Sequence, residues 1–212
     1  MSISILYQNN RTGDAFDITS LCTGAKWATK RIGTPASLEL TTFANSDVAW
    51  THGGILALKD DKNGLFYGYV VKVSQNEKDQ VTVTAYDQTW YLKKNKETYV
   101  FANKRADEIL TQIAADFDLV CGAMENTGYV IPSMVEDGQT LFDIALTALD
   151  HTLVHTGKMY VLWDDFGSLR ITDVAKSKLD LFVGDRSIAT GYTYESEIDS
   201  ETYNLSLIHI SE

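Results

Sequence analysis

A few groups of side chains in this sequence have types and spacing that chemistry could use. His151 and His155 lie four residues apart in an apolar-patterned segment, so on a helix both imidazoles share one face. That is the spacing at which two histidines hold one metal ion. A zinc-protease arrangement needs a glutamate directly after the first histidine as general base, but Thr152 stands there, and the sequence offers no obvious third ligand. The pair reads as ordinary helix-surface histidines. The adjacent carboxylates Asp60-Asp61 and Asp164-Asp165 could divide acid and base work if their surroundings separated their pKa values. Both sit among turn-forming residues, and neither segment has the alternating oxygen ligands of a calcium loop, so both read as exposed hairpin-turn aspartates. Trp27, Trp90, Tyr91 and Trp163 offer flat faces on which a sugar or base could stack, although packing and subunit contact are the simpler account for most of them.

Other chemical signatures are missing. The sequence contains no Gly-x-Ser-x-Gly, no Gly-x-x-x-x-Gly-Lys followed by Ser or Thr, and no Gly-x-Gly-x-x-Gly after a strand. Gly53-Gly54 reads as a turn. Cys22 and Cys121 are far apart and outside any Cys-x-x-Cys pair, which predicts two free, buried thiols in a reducing compartment. No catalytic, cofactor-binding or metal-binding residues are therefore assigned, no cofactor is expected, and the chain is not expected to be an enzyme.

Charge excludes another class. Lys plus Arg number 18 against 29 Asp plus Glu, for a net charge of −11. Phosphate binding needs a basic excess or stripe. The short cluster Lys93-Lys94-Asn95-Lys96 reads as a solvated turn, so specific nucleic-acid binding is disfavoured, while an acidic surface that DNA merely passes is compatible. The opening MSISILYQNN lacks the basic and apolar regions of a signal peptide, and no apolar run is long enough to span a bilayer. Synthesis in a cytoplasm without membrane insertion is the expectation.

The elements that would carry these residues follow from periodicity. Alternation at 2–8 and 37–43, short strand candidates at 15–19 and 25–29, and strands at 55–59, 65–75 and 80–86 suggest a small antiparallel barrel or sandwich. Asn63-Gly64 is expected to supply the positive φ of a hairpin turn, and Gly68 a bulge or bend. After Asp87 the pattern changes. A helical turn is expected at 89–93 and a brief strand at 98–101. A helix at 104–116 would be capped by Asn103, and a second would be capped by Thr140 and ended by Gly157. Strands at 159–163 and 168–172 flank a hairpin loop, and a last strand is expected at 188–194.

The stretch 81–117, VTVTAYDQTWYLKKNKETYVFANKRADEILTQIAADF, carries a family resemblance. A strand ends in Ala85-Tyr86-Asp87, Tyr91-Leu92 leads into the lysine-rich turn, and Thr98-Tyr99-Val100-Phe101 precedes Asn103 and a helix with Ala106, Glu108, Ile109 and Ile113. The opening SISILYQ, Phe16-Asp17-Ile18-Thr19 and Trp27 extend the likeness. So do Ile131-Pro132, Leu141-Phe142-Asp143-Ile144, Thr156-Gly157-Lys158-Met159-Tyr160, Ile198-Asp199 and Thr202-Tyr203-Asn204. This diffuse pattern resembles the XkdQ/YqbQ proteins of PBSX-type defective prophages and related contractile-tailed phages.

The resemblance implies a baseplate hub in the virion tail, assembled in the host cytoplasm. Three copies, each with two similar β-barrels, would form a pseudo-sixfold ring joining tail tube to spike. A homotrimer contacting tube, spike and other baseplate proteins is thus expected, with DNA passing the lumen unbound. Two alternatives stay open: the N-terminal anchoring part of a tail-tip peptidoglycan hydrolase, and a cell-wall carbohydrate-binding module.

The final LSLIHISE, residues 205–212, matches the translation of a transposon-end adapter used in sequencing libraries. It is expected to be non-native, with the native frame continuing past Asn204, and His209 carries no functional weight. The expected fold is mainly β with an α+β insertion. It comprises a tail-hub-like barrel over 1–95, an α+β region with two amphipathic helices over 96–157, strands beginning a truncated second β-barrel over 158–204, and the tail over 205–212.

Overall fold

Two-residue alternation builds the first sheet of the computed structural model, which describes residues 3–44, 48–61 and 63–179. Strands β1 (Ile3–Gln8), β2 (Ala15–Asp17), β3 (Cys22–Ala28), β4 (Ser37–Phe43), β5 (Ile55–Asp60), β6 (Asn63–Gln75) and β7 (Gln80–Tyr86) pair in the order β2-β1-β5-β6-β7-β4-β3. Every neighbouring pair is antiparallel. Leu38 and Leu40 are fully buried with Tyr7, Leu56 and Val83. Leu56, Ala57 and Leu58 are all buried, so β5 is covered on both faces.

The two edge strands, β2 and β3, are consecutive in the chain. Only residues 18–21 separate them, a span of at most about 17 Å. The sheet must therefore curl until its edges approach each other. The connector contains a 3-10 turn, Thr19–Leu21, and buries Ile18 at 1% exposure. It is tied to one side of the sheet by Ile5 N donating to Thr19 Oγ1 (2.9 Å) and to the other by Thr42 Oγ1 donating to Leu21 O (2.8 Å). No ladder joins β2 to β3 among the described residues, so the result is a curled half-barrel.

Two glycine expectations are corrected. Asp60 pairs with Asn63, and the left-handed residue beside that pair is Asp61 (φ 50°). Gly64 belongs to β6. A Cβ there would lie 2.3 Å from the Phe166 ring, so the residue is small to seat that ring. Gly68 pairs regularly with Leu56, and the ladder shifts lie elsewhere, between Leu58 and Lys59 and between Val70 and Lys72. Its Cβ would stand 2.4 Å from the Tyr86 carbonyl oxygen and 2.5 Å from Phe66 Cζ. Close approach, not a bulge, explains it.

Beyond β7 the chain forms α1 (Thr89–Lys94), β8 (Lys96–Arg105), α2 (Ala106–Asp116), β9 (Cys121–Met124), β10 (Val130–Thr140), α3 (Leu141–Thr156), β11 (Tyr160–Asp164) and β12 (Leu169–Asp173). Strands β8 and β10 form an antiparallel ribbon, and β11, β12 and β9 a three-stranded sheet in which β9 runs parallel to β12. Ile109, Leu110 and Ile113 of α2 pack with Leu141, Ile144 and Leu149 of α3, and Leu162, Leu169 and Ile171 join the same apolar cluster.

Thr140 caps α3 by accepting the Asp143 N–H (3.1 Å), and Gly157 ends it at φ 69°, both as expected. The start of α2 differs. Asn103, expected to cap it, lies in β8 at φ 53°. The cap is Arg105, whose N–H donates to Glu108 Oε2 (2.9 Å). The ladder to β10 continues through Lys104 and Arg105, and this pairing holds the chain extended two residues longer than the local pattern suggests. The strand expected at 188–194 and the tail at 205–212 lie outside the described residues. No described helix is long and apolar enough to cross a membrane.

Gly68→Ala is expected to destabilise the protein by about 1–3 kcal/mol through overpacking. Gly24→Ala, with its nearest neighbour 3.9 Å away, should leave the urea midpoint nearly unchanged. Equal midpoints for both variants would contradict the close-approach explanation.

Candidate functional site

Where β7 leaves the first core, Asp87 and Gln88 are each 4% exposed. One Asp87 oxygen accepts from Thr89 N (3.0 Å) and Thr89 Oγ1 (2.5 Å), and the other from Ala36 N (3.1 Å). This ties the entry of β4 to the first turn of α1. Gln88 reaches the other way. Its Oε1 accepts from Val120 N (3.1 Å), and its Nε2 donates to Val120 O (3.1 Å) and to Asp164 Oδ2 (2.8 Å). The second Asp164 oxygen accepts the Gly167 N–H at 2.8 Å.

Asp164 and Asp165 are therefore not the exposed turn residues expected from sequence. Both are partly buried, and Asp165 pairs with Arg170 Nε at 2.8 Å. The loop between β11 and β12 does not project into solvent, because Phe166 (φ 50°) folds back onto β6. Its ring meets Tyr67 edge-on at 5.5 Å, above Gly64, and Lys59 Nζ lies 5.5 Å from its centroid. Of the other pair, Asp60 is half-buried in β5 and Asp61 is exposed at the turn.

Burial pushes the Asp87 carboxyl up to about 6, against the hydrogen bonds from Thr89 and Ala36, and the Asp164 charge adds to the rise. Burial raises Asp164 as well. These carboxylates act as acceptors for backbone and side-chain donors, and each is already engaged.

Beside them lies a cleft of about 620 Å³ lined by Trp27, Lys30, Arg31, Asp87, Trp163 and Asp164, among others. Trp27 is 44% and Trp163 40% exposed. Trp163 Nε1 donates to Thr172 Oγ1 (3.1 Å), and Arg31 Nη1 lies 3.1 Å from Met159 Sδ. Of the four aromatic residues singled out in the sequence, the fold brings these two tryptophans to one cavity. Trp90 and Tyr91 instead continue an edge-to-face series through Tyr69, with Lys94 over Trp90.

Of the two histidines, His155 has its ring held by neighbours. His155 stacks on Tyr129 at 4.2 Å, with its Nδ1 2.9 Å from the His151 carbonyl oxygen. No cluster of three potential metal ligands occurs among the described residues. The cysteines are free, but Cys22 is half-buried and Cys121 exposed. Cys121 opens β9 at the edge of its sheet, and this position, not a core one, corrects the expectation of two buried thiols. Sequence reasoning missed Asp87 and Gln88. An Asp-x-Thr step between a strand and a helical turn is the signal that could have exposed Asp87.

The YQBQ-like family model matches residues 25–209. The chain belongs to the YQBQ-like family. It is 36% identical over 160 residues to uncharacterized protein YqbQ of Bacillus subtilis (strain 168), an alignment covering 74% of this chain and 48% of that protein. It is 33% identical over 175 residues to phage-like element PBSX protein XkdQ of the same organism, covering 80% and 53%. The chain thus spans about half the length of these relatives. The 43 kDa tail protein of prophage MuSo2 from Shewanella oneidensis shares the fold, with a TM-score of 0.63 at 15% identity over 80% of this chain and 52% of that one. The family read from the sequence and the mainly β, tail-protein-like fold are both met.

Gln88→Leu strands the Val120 N–H and takes a donor from Asp164, which should cost about 1–3 kcal/mol in chemical denaturation. Asp87 makes a pH prediction. Its folded pKa exceeds the unfolded one, so the folded state holds the proton more tightly. The resulting stability is complete below the unfolded pKa and is lost as pH rises through the folded value. Relative to Asp87→Asn, the wild-type protein should lose stability between pH of about 4 and about 7. A flat difference across that window would exclude the desolvated carboxyl.

Proposed function

We propose that this chain is part of a structural, non-catalytic component of a phage or phage-like tail, the central baseplate hub that joins a contractile tail's tube to its spike. The observation that carries the reading is the curled half-barrel. Its outer edges on β2 and β3 have no partner strand among the described residues, and all but the first residue of β3 is exposed. A curved sheet with open edges calls for completion by another strand, and copies of the same chain are the economical source. The shared fold with a prophage tail protein and the kinship with a protein of a phage-like element support the same assignment.

In this reading the complete protein is a homotrimer in the virion baseplate, assembled in the host cytoplasm, and it contacts tube, spike and other baseplate proteins. A net charge of −11 suits a ring through which DNA travels without adhering.

Light scattering of the complete protein after size exclusion is expected to give a discrete trimer that persists in high salt and forms rings in electron micrographs. A monomer at micromolar concentration would overturn the hub reading. The same ring should leave duplex DNA unretarded at an ionic strength of about 0.15 M. Retardation there would remove the proposed role of the acidic surface.

A further inference from the structure

The cleft between Trp27 and Trp163 adjoins the open edge of β3, but its other walls include residues of β6 and β11 that the proposed edge contact does not use. Tryptophan carries a large apolar surface that folding normally hides, yet both rings stay two-fifths exposed or more on the walls of one cavity. At about 620 Å³ the cavity lies within the range of small-molecule sites. Phe66 and Leu162, at 2% and 6% exposure, give it a dry apolar lining.

Its polar groups are of opposite kinds. Asp87 and Asp164 present acceptors, Lys30 and Arg31 present donors, and a third lining carboxylate, Asp165, is already paired with Arg170. An anion would meet the two carboxylates in a poorly solvated wall. A cation would meet Lys30 and Arg31. A wholly apolar molecule would strip water from all four without replacing its hydrogen bonds. A neutral ring bearing hydroxyl groups satisfies every wall, because each hydroxyl donates to a carboxylate or accepts from a cation, and its C–H faces lie against indole. The half-buried Asp164 has capacity to spare. Its two oxygens offer about four acceptor positions, of which Gln88 and Gly167 occupy two.

We propose that this cleft binds a neutral saccharide, stacked on Trp27 and Trp163, with hydroxyl groups donating to Asp164 and accepting from Arg31. The tail role does not depend on this site, and the site does not depend on the trimer.

The full chain would be titrated calorimetrically with glucose, galactose, N-acetylglucosamine and their short β-linked oligomers, with tryptophan fluorescence followed in parallel. At least one series is expected to saturate. Trp163→Ala and Trp27→Ala should each weaken it at least about tenfold, or 1.4 kcal/mol, whereas Trp90→Ala should not change it. Both cleft tryptophans are partly exposed, and unchanged circular dichroism would verify that these variants fold. The proposal fails if no sugar saturates up to roughly 50 mM, a Kd range weaker than about −2 kcal/mol. It also fails if both alanine variants bind like wild type, or if arginine amide occupies the cleft more tightly than any sugar.

Discussion

Gln88 holds together the parts of this molecule that the sequence separates. The half-barrel and the helical region have distinct apolar clusters, and the chain passes from one to the other at Asp87-Gln88. A carboxamide presents one acceptor and two donors in a plane, the complement of a peptide group. Against Val120 it reproduces the two-way exchange of a strand pair, and its remaining N–H captures Asp164. A buried amide with all three groups used fixes orientation more strictly than apolar contact does, because each misalignment leaves a desolvated group unpaired.

From that bracket the cleft follows. Asp164 is held inward, so the loop after β11 cannot swing into solvent, and Phe166 then lands on β6. Two glycines make room for the landing. A Cβ at Gly64 would strike Phe166, and one at Gly167 would come within 2.9 Å of Tyr67. With the loop docked, Trp163 near the end of β11 and Trp27 on edge strand β3 line one cavity. The acidic pair at its wall is the electrostatic cost of the arrangement. Burial where water is scarce lifts both carboxyls, and a neighbouring charge adds to each rise, Asp164 at Asp87 and Asp165 at Asp164.

The half-barrel has a different logic. Its curl is imposed by the short connector between β2 and β3, and neither outer edge has a partner strand among the described residues. Proteins usually blunt such edges with charge, proline or a covering element. Here β3 offers Lys26 and little else, with Trp27 beside it. An edge this bare is consistent with a chain that works only beside its own copies, which connects the fold to the proposed hub.

The sequence by itself determined what depends on neighbours in the chain. The β strands of the first core follow from alternation, α3 from Thr140 and Gly157, and the family from an ordered but diffuse set of positions. Net charge and missing motifs pointed away from catalysis and nucleic-acid recognition. Tertiary structure decided whatever required distant residues to meet. Strand β10 escaped notice because its buried side chains, Ile131 and Met134, are too sparse to show alternation and gain meaning only opposite β8. The start of α2 moved for the same reason, since inter-strand pairing through Arg105 outweighed the local cap. Asp164 looked like a solvent-facing turn until Gln88, 76 positions away in the chain, gave it a buried donor. Burial and long-range hydrogen bonds set the character of a polar side chain, and neither is written in the few residues on either side of it.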